Sequence, residues 1–222
     1  MNDLTVIHYT ANRIPDHFAE SVRANILQVA GDIPIISVSH KPLSFGKNIC
    51  IGVWPPSAYM TYQQVLIAAM FAETKYVVCC EDDSLYVPEH FTKRPSEGKF
   101  AYNIHRWNVD STPLYYYRSR CGMCMCIAER DLLVQTLCQR FTKFPRVLPR
   151  EQLAAFGEPG RKDALFGLPQ PPLEIFTTEI PCLTFNHRNS MGGKRKLLRN
   201  DKICDTLPFW GPASELWQKI HG

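Results

Sequence analysis

The stretch KYVVCCEDDSLYV, Lys75 to Val87, decides how the rest of the chain is read. Its first half is an unbroken run of apolar and β-branched residues, the composition of a strand buried on both faces. The run passes without a spacer into Glu81-Asp82-Asp83. Three successive carboxylates repel one another. A cation offsets that repulsion, and hard oxygen ligands suit Mg2+ or Mn2+. In extended chain alternate side chains share a face, so Glu81 and Asp83 can act together while Asp82 points elsewhere. The competing reading is a solvated acidic turn that caps a following helix.

Working upstream, Leu4 to Tyr9 (LTVIHY) reads as a first strand, and Pro15 to Ala30 as a helix with Phe18, Val22, Ile26 and Val29 on one face. Gly31-Asp32 stops that helix. Ile33 to Val38 is a second apolar strand. A polar loop, Ser39 to Asn48, follows, and Ile49 to Val53 is a short extended piece. Ser57 opens a second helix over Ala58 to Glu73, with Tyr62, Val65, Ala69 and Met70 inward. The first ninety residues therefore read β-α-β-α-β, which implies a parallel sheet with right-handed crossovers. Ligands of such sheets bind beyond the carboxyl ends of the strands. The loops after all three strands fall at that edge.

Downstream the pattern is weaker. Phe100 to Ile104, Leu114 to Arg118 and Ile180 to Phe185 read as strands, and Ala128 to Phe141 as an amphipathic helix. Pro145 to Pro172 is rich in Pro and Gly and reads as a loop. Six basic residues then lie between Arg188 and Lys202. The expectation is one α/β domain over residues 1–222, its mostly parallel sheet flanked by helices. Residues 1–91 form its regular first half and residues 92–222 a second half with a basic C-terminal segment.

The nine cysteines are odd in number and scattered, which points to free thiols in a reducing compartment. Cys121, Cys124 and Cys126 form a C-x2-C-x-C cluster. It is either half of a zinc site completed by Cys138 or a His, or a buried strand in which Cys124 and Cys126 alternate. A net charge of +4 does not by itself imply a nucleic-acid partner. No apolar stretch is long enough to span a bilayer, and residues 1–7 lack signal-peptide features. We therefore expect a cytoplasmic protein with no membrane and no protein partner.

Four stretches carry a family resemblance: HYTANRIP after strand one, ISVSHKPLSFGKNI after strand two, YVVCCEDDSLYVPEHF after strand three, and FNHRNSMGGKRK near the C-terminus. Together they resemble the GT-A glycosyltransferases of the family-2-like kind, including small bacteriophage and bacterial ones. The resemblance implies a metal-dependent transfer of sugar from a nucleotide-sugar donor, UDP-sugars foremost, with Mn2+ or Mg2+ as cofactor. It makes residues 1–91 the nucleotide-sugar half and residues 92–222 the acceptor half, and it places Thr10, Asn12, Arg13, Lys47 and Asn48 at the nucleotide, with Asp82 near the ribose. The acidic element resembles DXD but reads E-D-D, so Glu81 and Asp83 share the metal assignment, and His187 completes it. Asn12 and Arg13 have a competing reading as caps of the first helix, Lys47-Asn48 as an ordinary turn, and His187 as a surface residue.

An inverting transferase also needs a base for the acceptor hydroxyl. Glu158, exposed in a Gly-Glu-Pro-Gly turn, is the candidate; Glu129, Glu151, Asp110 and Asp163 are alternatives. The basic segment offers Lys194 and Arg195 to the donor diphosphate and Arg188 to the acceptor, or it is a solvated tail. Trp107 and Arg120 are further acceptor candidates, while at least two of Tyr115, Tyr116 and Tyr117 read as core. Phage enzymes of this kind include some that decorate modified pyrimidines. The leading acceptor is therefore 5-hydroxymethylcytosine in DNA; a cell-surface glycan or small molecule, or a non-catalytic nucleotide-binding module, are the alternatives.

Overall fold

The computed structural model describes residues 2–146, 157–187 and 202–221. The chain runs β1 (Leu4–Thr10), α1 (Asp16–Ala30), β2 (Ile35–Ser39), β3 (Lys47–Cys50), α2 (Ala58–Phe71), β4 (Tyr76–Glu81) and β5 (Ser84–Leu85). It continues through β6 (Phe100–Asn103), β7 (Arg106–Val109), β8 (Tyr115–Tyr117), β9 (Cys126–Glu129), α3 (Arg130–Lys143), β10 (Leu173–Phe176) and β11 (Cys182–Phe185). The described C-terminal part holds β12 (Ile203–Cys204), a hairpin of β13 (Thr206–Leu207) and β14 (Gly211–Pro212), and α4 (Ala213–His221).

Seven strands form the central sheet in the order β10-β6-β9-β4-β1-β2-β3. β4, β1, β2 and β3 are mutually parallel, and β9 enters antiparallel between β4 and β6. The parallel half is the β-α-β-α-β unit expected from the apolar runs with β3 added at its edge; Lys47 and Asn48, read as the end of a polar loop, begin that strand. The later residues add β6, β9 and β10 to that same sheet.

Strand alternation divides the core into two faces. Leu4, Val6, Val78 and Cys80 face one side, against Phe18, Val22 and Ile26 of α1. Ile7, Tyr9, Val77 and Cys79 face the other, against Val65, Ala68 and Ala69 of α2 and Leu133 and Leu137 of α3. By the same parity Glu81 continues the α2 face and Asp82 begins the departure from the sheet. Ser57 caps α2, its Oγ accepting from the Met60 amide at 3.1 Å; a cap of this kind is worth about 1 kcal/mol. Met70, expected inward, is exposed. α2 is apolar on nearly every side, so periodicity could not rank its faces. At the far edge of the sheet Gly46 has φ +58 and lies so close to Ile35 that a Cβ would meet the backbone oxygen at 2.3 Å, which only glycine avoids.

The second sheet runs β12-β8-β7-β11-β5. Its position matters because β5 starts directly after Asp83. β5 pairs antiparallel with β11 (Leu183 with Leu85, Thr184 with Ser84), which carries the segment after Phe185 back to the acidic triplet. Tyr115 and Tyr116 are fully buried and Tyr117 is partly exposed, as expected. Cys126 lies in a strand, whereas Cys124 sits in the short 3-10 turn Met123–Met125 just before it, not in the strand itself. Helix α3 begins at Arg130; Ala128 and Glu129, read as helical, finish β9.

Candidate functional site

The carboxyl ends of β1, β2 and β4 open into a cleft lined by Thr10, Arg13, His40, Gln64, the three acids Glu81, Asp82 and Asp83, and His187. Gln64 of α2 fastens the cleft floor, its Nε2 donating to Thr10 O at 2.8 Å and Val38 O at 3.1 Å. Each acid is held differently. Tyr9 Oη donates to Glu81 Oε1 at 2.9 Å, and Thr10 Oγ1 donates to Asp82 Oδ2. Asp83 accepts from Ser84 Oγ at 3.2 Å through Oδ1, while Oδ2 lies 3.4 Å from His187 Nε2. Asp82 and Asp83 lie in the turn that follows β4 and not in extended chain, so strand alternation does not govern where they point. Glu81 and Asp83 also line a second cleft, and Asp82 does not.

Crowding has an electrostatic consequence. Burial, reinforced by the Asp83 charge, pushes the Glu81 carboxyl up to about 8 even though Tyr9 opposes the shift. The same two causes, in the same order, raise Asp82 to about 7 against the Thr10 hydrogen bond. These carboxylates resist full ionisation as they stand, and a nearby cation would relieve both. Among the described residues no group of three His, Cys, Asp or Glu side chains is arranged to hold an ion alone. Asp83 and His187 make a two-ligand pair. That suits an ion of the Mg2+ type, which binds through one or two carboxylates and takes its remaining ligands from water and substrate phosphates. The residues therefore fit a cation that arrives with a diphosphate.

The second cleft lies on the other side of Glu81 and Asp83. Its wall includes Tyr62, Arg106, Asn108, Arg120, Gly122 and Glu158. Glu158 is paired with Arg161 Nη1 at 2.6 Å. The turn that carries it is fixed from behind by Arg140, which is 2% exposed and donates to Gly157 O and to Asp163 Oδ1. Asp163 Oδ2 in turn accepts from the Gly160 amide at 2.7 Å.

The remaining candidates separate plainly. Thr10, Arg13, Asp82 and His187 come together in the first cleft, and Arg120 and Glu158 in the second. Asn12, at φ +51, does not cap α1; its Oδ1 accepts from the His40 and Lys41 amides, each at 2.9 Å, and so ties the β1 loop to the β2 loop. Asn48 braces the β2 loop, donating to Ser37 and Ser39 and accepting from the Leu43 amide. Lys47 lies outside the cleft wall, its Nζ 5.4 Å from the Phe71 ring centre. Trp107 stacks at a tilt on Tyr117, 5.5 Å between ring centres, and is absent from both cleft walls. Among the alternative bases, Asp110 closes a turn onto Thr112, Glu129 binds the Gly98 amide and Lys75, and Asp163 is buried under Arg140. Glu151, Arg188, Lys194 and Arg195 lie outside the described residues.

Among the cleft residues that the sequence reading did not single out are His40, Gln64, Arg106 and Asn108. His40 is the first residue after β2, and that position alone marked it for the cleft. It is 4% exposed, and its Nε2 has no partner among the described residues. Gln64 and Arg106 carried no such signal, because a helical Gln and a strand Arg read as exposed.

No protein-family model and no curated protein sequence matches the chain. Among solved structures, a glycosyltransferase involved in the glycosylation of the major capsid of PBCV-1 aligns at TM-score 0.49 and 8% identity, covering 82% of this chain and 92% of that one. S. aureus TarS 1-349 in complex with UDP-GlcNAc aligns at 0.45 and 8%, over 85% of this chain and 60% of that one. The bifunctional IspDF from Campylobacter jejuni aligns at 0.42 and 9%, over 80% and 50%. Likeness at this level concerns the path of the chain and not its chemistry. No helix among the described residues is long and apolar enough to cross a membrane.

Proposed function

We propose that the chain is a metal-dependent glycosyltransferase of the GT-A type, moving a sugar from a nucleotide-sugar donor to an acceptor hydroxyl. The observation that carries this reading is the pair of clefts that share Glu81 and Asp83 as their common wall. Two substrates bound on either side of those carboxylates would meet at them, which is the geometry a group transfer needs.

The donor, a UDP-sugar first of all, occupies the cleft at the ends of β1, β2 and β4. Thr10 and Arg13 hold the nucleotide with Asp82, and His40, whose Nε2 has no partner among the described residues, lines the same cleft. Asp83 and His187 would hold the divalent ion, with Glu81 beside them. Bound there, Mn2+ or Mg2+ supplies charge stabilisation for the departing diphosphate. The acceptor hydroxyl approaches from the second cleft. Its oxygen bonds to the anomeric carbon, the carbon–oxygen bond to the diphosphate breaks, and the leaving electrons stay on the diphosphate. Glu158 takes the hydroxyl proton, with Arg161 orienting it. The acceptor proposed first is the hydroxymethyl group of 5-hydroxymethylcytosine in DNA.

The test is turnover. The protein is incubated with Mn2+, a panel of nucleotide sugars led by UDP-glucose, and hydroxymethylated or unmodified duplex DNA, and products are read by mass spectrometry. The expected result is a hexose added only to hydroxymethylated DNA. Glu158→Gln lowers the rate by about 10²- to 10⁴-fold, the usual range for a general base. Absence of transfer and of donor hydrolysis with every donor rejects the enzyme reading. Donor hydrolysis without transfer to DNA rejects only that acceptor.

A further inference from the structure

We propose that the second cleft takes a substrate bearing an oxyanion, a carboxylate or phosphate, held by Arg106 in its wall and Arg120 at its rim. This rests on the two-substrate reading above, because it names a chemical group on one of those substrates.

Arg106 carries the inference. It sits in β7 and is 5% exposed, yet it lines the cleft. A guanidinium has five N–H donors. Here Nη1 reaches only the thiol of Cys124, at 3.2 Å, and Nε has no partner among the described residues. Glu81 and Asp83 act on it through space, but among the described residues no carboxylate is in ion-pair contact with it. A cation that served only to balance those acids would lie against one of them. A buried cation left with a thiol and an unmade N–H is costly unless something else completes it.

The surroundings are shaped for such a ligand. A Cβ on Gly122 would lie 2.5 Å from Arg106 Nη1, so glycine at 122 leaves the guanidinium where it is. Asn108, 7% exposed, donates to Asn186 Oδ1 at 3.0 Å, and its own Oδ1 is buried with no partner among the described residues. Arg120, exposed in the same wall, feels the positive charges of Arg106, Arg118 and Arg161; of these cations, Arg161 is matched by Glu158. A planar, forked pair of donors is the arrangement that recognises carboxylate and phosphate bidentately. The group could belong to the acceptor, as the phosphate of a nucleotide, or to the transferred sugar, as the carboxylate of a uronic acid.

Binding separates these sources without requiring turnover. In the presence of Mn2+ and UDP, calorimetry compares 5-hydroxymethyldeoxycytidine monophosphate with its nucleoside, and glucose 6-phosphate with glucose. A second arm compares UDP-glucuronate with UDP-glucose in the absence of acceptor. The expected result is a preference of about tenfold or more for the charged member in one arm, the gain typical of a charge-assisted hydrogen bond. That preference falls to near one in Arg120→Gln, an exposed substitution that leaves the fold and UDP affinity intact, and in Arg106→Gln. A preference among acceptors assigns the anion to the acceptor, and one among UDP-sugars assigns it to the donor. Equal binding of charged and neutral members in both arms overturns the proposal, as does a preference that survives Arg120→Gln. Failure of UDP itself to bind would refute the transferase reading while the charged acceptor pairs still report on the arginines.

Discussion

Replacing Arg140 by Met should unfasten the turn that presents Glu158. Arg140 is 2% exposed and its partner Asp163 is also 2% exposed. The guanidinium donates to Asp163 Oδ1 and Gly157 O, and its carbon lies 5.6 Å from the Tyr62 ring centre. Removing one member of a buried pair strands the other, which costs about 3–5 kcal/mol; the lost contact with Tyr62 adds about 0.5–1 kcal/mol. Met fills most of the space left by the arginine stem, so a cavity contributes little. We therefore expect urea unfolding to show a loss of about 3–5 kcal/mol in Arg140→Met. Adding Asp163→Leu should recover much of it, since the stranded charge is then gone. Acceptor turnover should fall in both variants, because the Gly157 anchor is lost in each and the double variant loses the Gly160 anchor as well, while UDP affinity stays. A loss under about 1 kcal/mol, or no recovery in the double variant, would show that the pair is not the fastening it is taken for.

Glu81 and His8 give opposite pH signatures. The folded-state pKa of Glu81 is raised from 4.5 to about 8, so the folded protein binds more protons than the unfolded chain between those values. Metal-free wild type should lose stability relative to Glu81→Gln as pH rises from about 4.5 to 8, by a few kcal/mol at most because the side chain partly meets solvent in the cleft, and Mn2+ with UDP should cancel the difference. His8 is fully buried edge-on to Phe45, with neither ring nitrogen partnered among the described residues, and burial lowers it to about 3. His8→Leu should gain about 1–3 kcal/mol at neutral pH, and the gain should widen as pH falls below 6.5, where the unfolded wild type takes up a proton the folded state refuses.

What the chain disclosed about itself follows from how local each signal is. The strands before Thr10, Ser39 and Glu81 are short buried runs, and each is followed at close range by the loop it delivers to the sheet edge. Order and composition sufficed there, and the cleft at 81–83 was legible with them. β9 was legible only in part: Cys126 stood in a stretch offered as a buried strand, but Ala128 and Glu129 read as helical, because they become strand only by inserting between β4 and β6, a pairing with β4 across about fifty residues. β7 stayed hidden because Arg106 and Asn108 are polar in sequence and buried only by tertiary packing. α4 could have been found, since Leu216 and Ile220 stand one helical turn apart and both are buried. Asn12 was located at the correct loop and Asn48, read as the end of a loop, lies in β3; the side chains of both satisfy backbone amides or neighbouring hydroxyls instead of facing the cleft. Loop asparagines do this often enough that position alone cannot separate bracing from binding.

The most direct measurement is the affinity for UDP with and without Mn2+, in wild type and in Asp83→Asn. A divalent ion gathered by Asp83, His187 and the diphosphate together predicts that Mn2+ tightens UDP binding by about a hundredfold, roughly 3 kcal/mol, in wild type and hardly at all in the variant. Equal UDP affinity with and without Mn2+ in wild type, or an undiminished Mn2+ effect in Asp83→Asn, would contradict it.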